Sequence, residues 1–387
     1  MGSRTANLST MLDPAILPSY ATSGLRTVRR GFVGPHRYPG DVRAIIRAIL
    51  EDCWAGDRHT ASAGHFRQFW TRDLGFSSAP LVRLGYRDRV AASLAWALDA
   101  WSRNGRVTTT IFPGRRPRDI YTFGVDSLPL LLYALGASGS HDLVERHAGW
   151  LGREVQRYAR EVVDQRTGLV RSDRRFSTHR DTIRTRSSCY ANTMLVLLGA
   201  TLDETGWFPN PVAPGACERF VEAFWRADRF VDERGGRAVT GDSTVFPFWL
   251  GVVPSELGLT GALRSAADSG LATPLPLRYA SRRDSGAEDP VQRLFVPDYQ
   301  GTSIWTSLGA MYLSLLDSVD PGAAAPLIGA YTRLIERDGT YWEVLTDDLR
   351  PYRGRLGIFR ADEAMLWSAI FLDLIERRSA LSSAMPG

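Results

Sequence analysis

The chain has 387 residues, of which 44% are hydrophobic and 10% aromatic, and its formal net charge is +5. All 47 basic residues are arginine, spread among 42 acidic residues without forming a basic stripe, which disfavours nucleic acid as a partner because phosphate binding needs clustered cations. The length and the hydrophobic content allow one large core.

Residues 1–30, rich in Ser, Thr, Arg and Pro, predict a weakly ordered arm, and residues 31–387 predict a single domain. No apolar stretch of 18 or more residues occurs, so we expect no membrane span and a cytoplasmic protein. Cys53, Cys189 and Cys217 have neither paired spacing nor a neighbouring histidine cluster. Disulfides, a metal site and a cofactor are therefore not expected.

Apolar residues recur at helical spacing along almost the whole chain, and little of it alternates as a strand does. About eleven helices are predicted, and a twelfth could lie in a weaker segment. The predicted helices are 41–55, 78–86, 89–103, 126–137, 140–164, 188–204, 215–226, 254–269, 301–318, 322–338 and 361–379. Asp41, Ser140 and Asp320 stand where an N-terminal cap is expected.

Short and long connections alternate between these helices. The long ones, at 104–124, 165–187, 270–300 and 339–360, carry Pro, Arg, aromatic and acidic residues. This alternation predicts helical hairpins in a barrel whose long loops share one end, and functional residues concentrate on such a face.

The first candidate segment is G-H-F-R-Q-F-W-T-R-D at 64–73. Arg72 and Asp73 offer a donor and an acceptor for neighbouring sugar hydroxyls, and Trp70 offers a ring face for stacking. The alternatives are a structural ion pair and a helix cap formed by Asp73. His65 is a weaker candidate, because a histidine beside aromatic residues is more often structural.

The second candidate is Asp126 in F-G-V-D-S-L-P at 123–129, where an aromatic loop meets an apolar helix. Apolar surroundings raise the pKa of a carboxyl group, which suits a general acid that must keep its proton near neutral pH. The alternative is that Asp126 caps the helix. Asp119 is a rival for the same role.

Two helix starts carry further candidates. Tyr190 and Asn192 lie in S-C-Y-A-N-T-M at 188–194, and Gln300 and Trp305 lie in P-D-Y-Q-G-T-S-I-W. Polar groups beside an aromatic ring are typical of sugar sites, while helix initiation and core packing remain open as explanations.

The last candidate is Glu343 in G-T-Y-W-E-V at 339–344, a carboxyl group that follows aromatic residues. Hydrolysis of a glycosidic bond needs one carboxyl group to protonate the leaving oxygen and a second to activate water. Asp347, Asp348 and Glu363 compete for the second role, although a hydrophilic turn and a helix start explain them.

One segment is unusually rich in arginine: Arg171, Arg174, Arg175, Arg180, Arg184 and Arg186. It is either a solvated loop balanced by Asp173 and Asp181 or a rim that binds an anionic part of a substrate.

Taken together, these segments resemble the six-hairpin, or (α/α)6-barrel, glycosidases, a superfamily that includes glucoamylases, trehalases and glycoside hydrolase family 63. The resemblance spans roughly residues 38–380. It implies an all-α (α/α)6 toroid without the accessory β-domain of larger members, and substrate contacts at His65, Trp70, Arg72, Asp73, Tyr190, Asn192, Gln300, Trp305, Trp342 and Trp367.

The resemblance also implies the reaction. Asp126 would be the general acid and Glu343 the general base, and they would hydrolyse a small soluble, α-linked glycoside with inversion of configuration. Inversion needs room for water, so the two carboxyl groups should stand roughly 6.5–9.5 Å apart.

Two other classes of function remain open. An (α/α)-barrel epimerase or lyase would use histidines such as His65 and His179 as proton shuttles. A non-catalytic carbohydrate-binding scaffold would not bring Asp126 and Glu343 to one pocket. The sequence leaves the sugar, the linkage and the oligomeric state undefined.

Overall fold

The computed structural model describes Leu25 and residues 34–120, 122–181, 183, 185–355 and 359–384. The predicted arm at residues 1–30 thus lies, apart from Leu25, outside the described residues. In the part of the chain that is described, no helix is long and apolar enough to cross a membrane.

The described residues form fourteen α-helices. In chain order these are α1 (Val42–Asp52), α2 (Thr71–Arg83), α3 (Arg87–Asn104), α4 (Ser127–Ser138), α5 (His141–Arg146), α6 (Ala148–Val162), α7 (Cys189–Thr205), α8 (Ala216–Phe224), α9 (Gly241–Trp249), α10 (Leu259–Asp268), α11 (Pro290–Phe295), α12 (Thr306–Val319), α13 (Pro321–Asp338) and α14 (Ser368–Ala384).

Six of these helices form an inner ring in the order α2, α4, α7, α9, α12 and α14, and α14 packs against α2 to close it. The helices α1, α3, α6, α8, α10 and α13 alternate with them along the chain and form the outer layer. This arrangement of six hairpins confirms the predicted all-α (α/α)6 toroid.

The inner and outer helices differ in burial. An outer helix such as α6 buries one apolar stripe, whereas an inner helix such as α7 is buried on nearly every side because it has neighbours all round. The inner helix α9 has no predicted counterpart. It has only nine residues, includes Gly241 and Pro247, and shows no stripe.

Several predicted helix ends are confirmed by their caps. The side chains of Asp41 and Asp320 each accept a hydrogen bond from the backbone N–H three residues later, at 2.9 Å. The helices α4 and α13 end at Gly139 and Gly339, which have positive φ. Ser140 makes no side-chain cap, so that predicted signal is wrong.

Short antiparallel ribbons complete the structure. Their strands are β1 (Phe69–Trp70), β2 (Thr110–Phe112), β3 (Arg116–Arg118), β4 (Val163–Asp164), β5 (Leu169–Val170), β6 (Trp225–Arg226), β7 (Arg229–Phe230), β8 (Ile304–Trp305) and β9 (Val344–Leu345). The pairing of β1 with β2 joins the loop before α2 to the loop before α4, and the pairing of β8 with β9 joins the loop before α12 to the loop before α14.

Backbone pairing continues around the ring of loops that precede the inner helices. Gly124 pairs with Ser177, Ser188 pairs with Glu233, the N–H of Gly241 bonds to Tyr279, and Ser62 pairs with Met365. Each loop is thereby joined to the next. The long loops therefore lie at one end of the toroid, as the alternation of loop lengths predicts.

Candidate active site

Glu343 lies directly before β9, at the end of the ring where the inner helices begin, and is 4% exposed. Its Oε1 accepts a hydrogen bond from the hydroxyl of Tyr299 at 2.5 Å, and its Oε2 accepts one from the backbone N–H of Asp362 at 2.9 Å. Burial raises the pKa of Glu343 to about 7, so this carboxyl group exchanges its proton near neutral pH.

The three acids that compete with Glu343 lie in other surroundings. The side chains of Asp347 and Asp348 are 72% and 61% exposed and pair with arginines at the surface. Glu363 is buried, and its Oε1 accepts the backbone N–H of His36 at 2.9 Å. Of the four, Glu343 is the one whose surroundings suit a general base.

Asp126 lies directly before α4 and is 1% exposed. Its Oδ2 accepts hydrogen bonds from Nε of Arg72 and from the hydroxyl of Tyr190, both at 2.7 Å. Its side chain makes no capping bond to α4, so the helix-cap interpretation is wrong. The rival Asp119 instead accepts the N–H of Thr109 at 3.1 Å, which holds the loop before α4 in shape.

Asp181 is the carboxyl group that the sequence analysis leaves among the solvated charges, yet it lies in the same cluster. Nη1 of Arg72 donates to its Oδ2 at 3.1 Å, and the hydroxyl of Ser177 donates to its Oδ1. Its side chain is 12% exposed. Burial raises the pKa of Asp181, although Arg72 opposes this shift. Arg72 therefore bridges Asp126 and Asp181.

A sequence signal for Asp181 existed. It lies in the long loop that precedes the buried helix α7, as Asp126 lies in the loop that precedes α4. The charge-rich composition of its segment hid that position.

Asp73, in the first turn of α2, connects the two sides of the site. It is 8% exposed, and its pKa is raised to about 7 by burial. Arg72 opposes the shift, while the charges of Glu343 and Asp126 both add to it. Interactions between charges weaken with distance, so these effects indicate that Glu343 and Asp126 both lie near Asp73.

Two buried donors beside this cluster have no hydrogen-bond partner among the described residues. They are Nη2 of Arg72 and Nε1 of Trp70. Buried polar groups are almost always hydrogen-bonded in folded proteins, so donors left over at a cluster of acids indicate a place for polar ligand atoms.

His179 lies in an aromatic cluster and is 3% exposed. Its ring lies 5.3–5.9 Å, between centroids, from the rings of Phe76, Tyr190, Phe246, Tyr279 and Trp305. Burial lowers the pKa of His179 well below its usual value, and Nδ1 shares a hydrogen bond with the hydroxyl of Tyr279. His65 pairs through Nδ1 with Asp362 at 2.9 Å. Neither histidine thus has the surroundings of a free proton shuttle.

The remaining predicted contacts favour structural roles. The amide of Asn192 accepts from the N–H of Val170 at 2.8 Å and donates to the carbonyl of Ser188 at 2.9 Å. Nε2 of Gln300 donates to the carbonyl of His179 at 2.9 Å. These bonds shape loops, so the contacts favour that explanation over the predicted sugar contact.

Three predicted tryptophans are each 5% exposed and bond their indole N–H inside the protein. The bonds run from Trp305 to the carbonyl of Tyr299 at 2.8 Å, from Trp342 to Asp338 at 2.8 Å, and from Trp367 to Thr306 at 3.3 Å. These bonds favour core packing over the predicted stacking on a sugar. By contrast, Arg72, Asp73 and Tyr190 belong to the acidic cluster. Trp70 lies on β1, two residues before Arg72.

Three of the six arginines in the arginine-rich segment are paired within the chain. Arg171, Arg174 and Arg180 pair with Asp173, Glu161 and Asp232, respectively. These pairs favour the interpretation as a charge-balanced loop. Within the described residues no group of His, Cys, Asp and Glu could hold a metal ion, and Cys53, Cys189 and Cys217 form no disulfide.

No family model and no curated protein matches the chain. Solved structures do match it over most of its length. A wild-type glycosidase aligns with a TM-score of 0.60 and 16% identity over 87% of this chain and 96% of its own. The GH63 mannosylglycerate hydrolase from Thermus thermophilus, in complex with Tris and D-glycerate, aligns with a TM-score of 0.56 and 17% identity over 87% and 100%.

A rhamnosidase from Klebsiella oxytoca with rhamnose bound aligns with a TM-score of 0.61 and 14% identity over 89% of this chain and 66% of its own. At such low identity the likeness establishes the fold alone. That fold is the six-hairpin barrel of these glycosidases.

Proposed function

We propose that the chain is a glycoside hydrolase that cleaves a small soluble glycoside with Glu343 as its general base. The observation that carries the proposal is the ring of joined loops, which brings Glu343 on the last loop and Asp126, bonded to Arg72, on an earlier loop to the same end of the toroid. The charges of both carboxyl groups also act on Asp73. A non-catalytic scaffold gives no reason for this convergence, since buried carboxyl groups that face one another destabilise the folded state.

The contacts of Glu343 suit activation of water. Its two oxygens each receive one hydrogen bond, from Tyr299 and from the N–H of Asp362, so each oxygen keeps a lone pair for the proton of an attacking water. With its pKa near 7, the ionised group is a stronger base than an exposed carboxylate.

For the general acid, Asp126 and Asp181 compete, and we propose Asp181. Asp126 accepts two hydrogen bonds on one oxygen, one of them from a guanidinium group, and is almost fully buried, so its carboxyl group is occupied in holding Arg72 and Tyr190. Asp181 is more exposed and has a raised pKa, which suits a group that delivers a proton. In this scheme Asp126 orients Arg72.

The sugar is proposed to bind at the unpaired donors. Nη2 of Arg72 and Nε1 of Trp70 would donate to its hydroxyl oxygens, and Asp73 would accept from its hydroxyl groups. After water attacks the anomeric carbon opposite the leaving group, the product would have inverted configuration.

The structural neighbours suggest substrates to test. They include a glycosidase variant in complex with glucose, a rhamnosidase with rhamnose bound, and a mannosylglycerate hydrolase in complex with D-glycerate. We propose a small neutral or weakly charged glycoside, since Arg171, Arg174 and Arg180 are already paired and give no support to a strongly anionic aglycone.

A panel of unmodified α-linked disaccharides, α-rhamnosides and glycosyl glycerates tests the proposal, with free sugar as the readout. We expect at least one to be hydrolysed and expect Glu343→Gln to reduce its turnover by about 10³-fold or more, because general-base catalysis is lost. Asp347→Asn is the matched control, since Asp347 is exposed and four residues away. Normal turnover by Glu343→Gln would refute the assignment.

The alternative of an epimerase or lyase is supported by no contact of His65 or His179, whose ring nitrogens bond to Asp362 and Tyr279. The same panel addresses it: conversion of a sugar without cleavage would favour an epimerase, and cleavage that leaves a new C=C double bond in one product would favour a lyase.

A further inference from the structure

Asp362 is a fully buried carboxyl group that receives an unusual set of donors. The backbone N–H groups of His65, Phe66 and Glu363 donate to it at 2.9 Å, as does Nδ1 of His65, and the hydroxyl of Ser62 also donates. Because each of these groups is a donor, the anion is the form that this environment stabilises.

The main chain of Asp362 is bonded to Glu343 in both directions. The N–H of Glu343 donates to the carbonyl of Asp362 at 2.9 Å, and the N–H of Asp362 donates to Oε2 of Glu343 at 2.9 Å. The side chain of Asp362 therefore binds the loop that leads to Trp70, while its main chain contacts the carboxyl group of Glu343.

We propose that Asp362 is a positioning residue for Glu343, a role that rests on the proposed hydrolase function. Its carboxylate fixes the loop at 62–66 against the last loop of the ring, and its N–H then fixes the orientation of the Glu343 carboxyl group. Ser62 also pairs with Met365, so the same junction closes the circle of loops.

The charge of Asp362 acts on the basicity of Glu343 as well. The groups that face Glu343 are Tyr299, His65, Asp362 and Asp73. Burial is the largest cause of its raised pKa, hydrogen bonds from the N–H of Asp362 and from Tyr299 oppose it, and the charge of Asp362 raises it further. Removing that charge while keeping the main chain should therefore make Glu343 a weaker base.

The test is Asp362→Asn. We expect kcat to fall about 10- to 100-fold with KM within about threefold, because a small displacement of a reacting group costs that much. The acid limb of the kcat/KM profile should move to lower pH by roughly one unit. Ser62→Ala, which removes one donor and leaves the charge of Asp362 in place, should lower kcat by a smaller factor without moving the acid limb to lower pH. It serves as the test of positioning if Asp362→Asn does not fold.

Asp373→Asn is the matched control. Asp373 is a 2% exposed carboxyl group on α14 that accepts two hydrogen bonds at 2.8 Å from Arg83, at the C-terminal end of α2. The Asp373→Asn substitution should lower the melting temperature but leave the acid limb of the kcat/KM profile at the same pH. If Asp362→Asn and Ser62→Ala change activity only as far as the folded fraction changes, as Asp373→Asn does, the proposal is refuted.

A second readout does not depend on turnover. Infrared difference spectra between the chain and its Glu343→Gln variant report the carboxyl titration of Glu343, and they can be repeated with Asp362→Asn in both proteins. We expect a lower pKa of Glu343 when Asp362 is neutral. If the chain hydrolysed none of the tested glycosides, the proposed function would fail, but this titration would still show whether the charge of Asp362 acts on Glu343. An unchanged pKa of Glu343 in the Asp362→Asn background would overturn the proposed effect of that charge.

Discussion

At the scale of single residues, Arg72 is the residue that connects the two candidate proton donors. It binds Asp126 through Nε and Asp181 through Nη1, and its remaining nitrogen Nη2 has no partner among the described residues. Two carboxyl groups thus hold the guanidinium group of Arg72 from two sides.

The identity of the general acid can be tested with leaving groups. Asp181→Asn should abolish cleavage of an unactivated glycoside but retain a substantial part of the rate on a glycosyl fluoride or nitrophenyl glycoside, whose leaving groups need little protonation. Asp126→Asn should slow both substrates alike, because it displaces Arg72. The measurement is kcat for each variant on the two substrate types, and the opposite pattern would assign the role to Asp126.

The pH dependence follows from Glu343. The base must be ionised, and burial raises its pKa to about 7, so kcat/KM should fall about tenfold per pH unit below that value. The pKa of Asp73 is also raised to about 7, so the acid limb of the kcat/KM profile reports Glu343 and Asp73 together. A kcat/KM profile that stays flat from roughly pH 5 to pH 8 would contradict the role of Glu343, because this range includes its pKa of about 7.

The sequence predicts part of the site, for a physical reason. Trp70, Arg72 and Asp73 form a compact segment, and Glu343 follows aromatic residues, so local composition marks them. Asp181 lies among exposed charges, and its burial depends on Arg72, which is 109 residues away in the chain. Local composition cannot report a contact between such distant residues.

At the scale of elements, the prediction misses the inner helix α9 and most of α2, although the inner helices α4, α7, α12 and α14 are predicted. The outer helix α6 has the stripe that periodicity detects, but α9 has none, and only the end of α2 is predicted. Gly75 and Pro80 in α2 and Pro247 in α9 weaken the local preference further, and packing within the ring compensates for it.

The closeness of the inner helices can be tested at Gly75 in α2. A Cβ there would lie 2.7 Å from Cβ of Leu130 in α4, so Gly75→Ala should destabilise the protein by about 1–3 kcal/mol. Gly136 in α4 is the matched helical control, since its added Cβ would lie 3.9 Å from the nearest atom of Trp207.

Gly136→Ala should be neutral or stabilise the fold by up to about 1 kcal/mol through helix propensity. The free energy of unfolding in urea measures both variants. Equal effects of the two substitutions would contradict the tight packing of α2 on α4.

At the scale of the whole molecule, the site exists because six loops from distant parts of the chain are joined in a circle. The closure of α14 on α2 brings the last loop beside the first, and Asp362 and Glu343 on one meet Ser62 and His65 on the other. The alternation of long and short loops predicts this geometry. In a ring of helical hairpins, alternate connections lie at the same end, so the long loops that carry functional residues lie together.

The most direct test of the central claim is ¹H NMR of the first sugar released from a cleaved member of the α-linked panel, recorded before mutarotation. The account predicts a β-configured sugar as the first product, from an inverting reaction that Glu343→Gln abolishes. Release of the α-anomer first, or the same product at the same rate from Glu343→Gln, would contradict it.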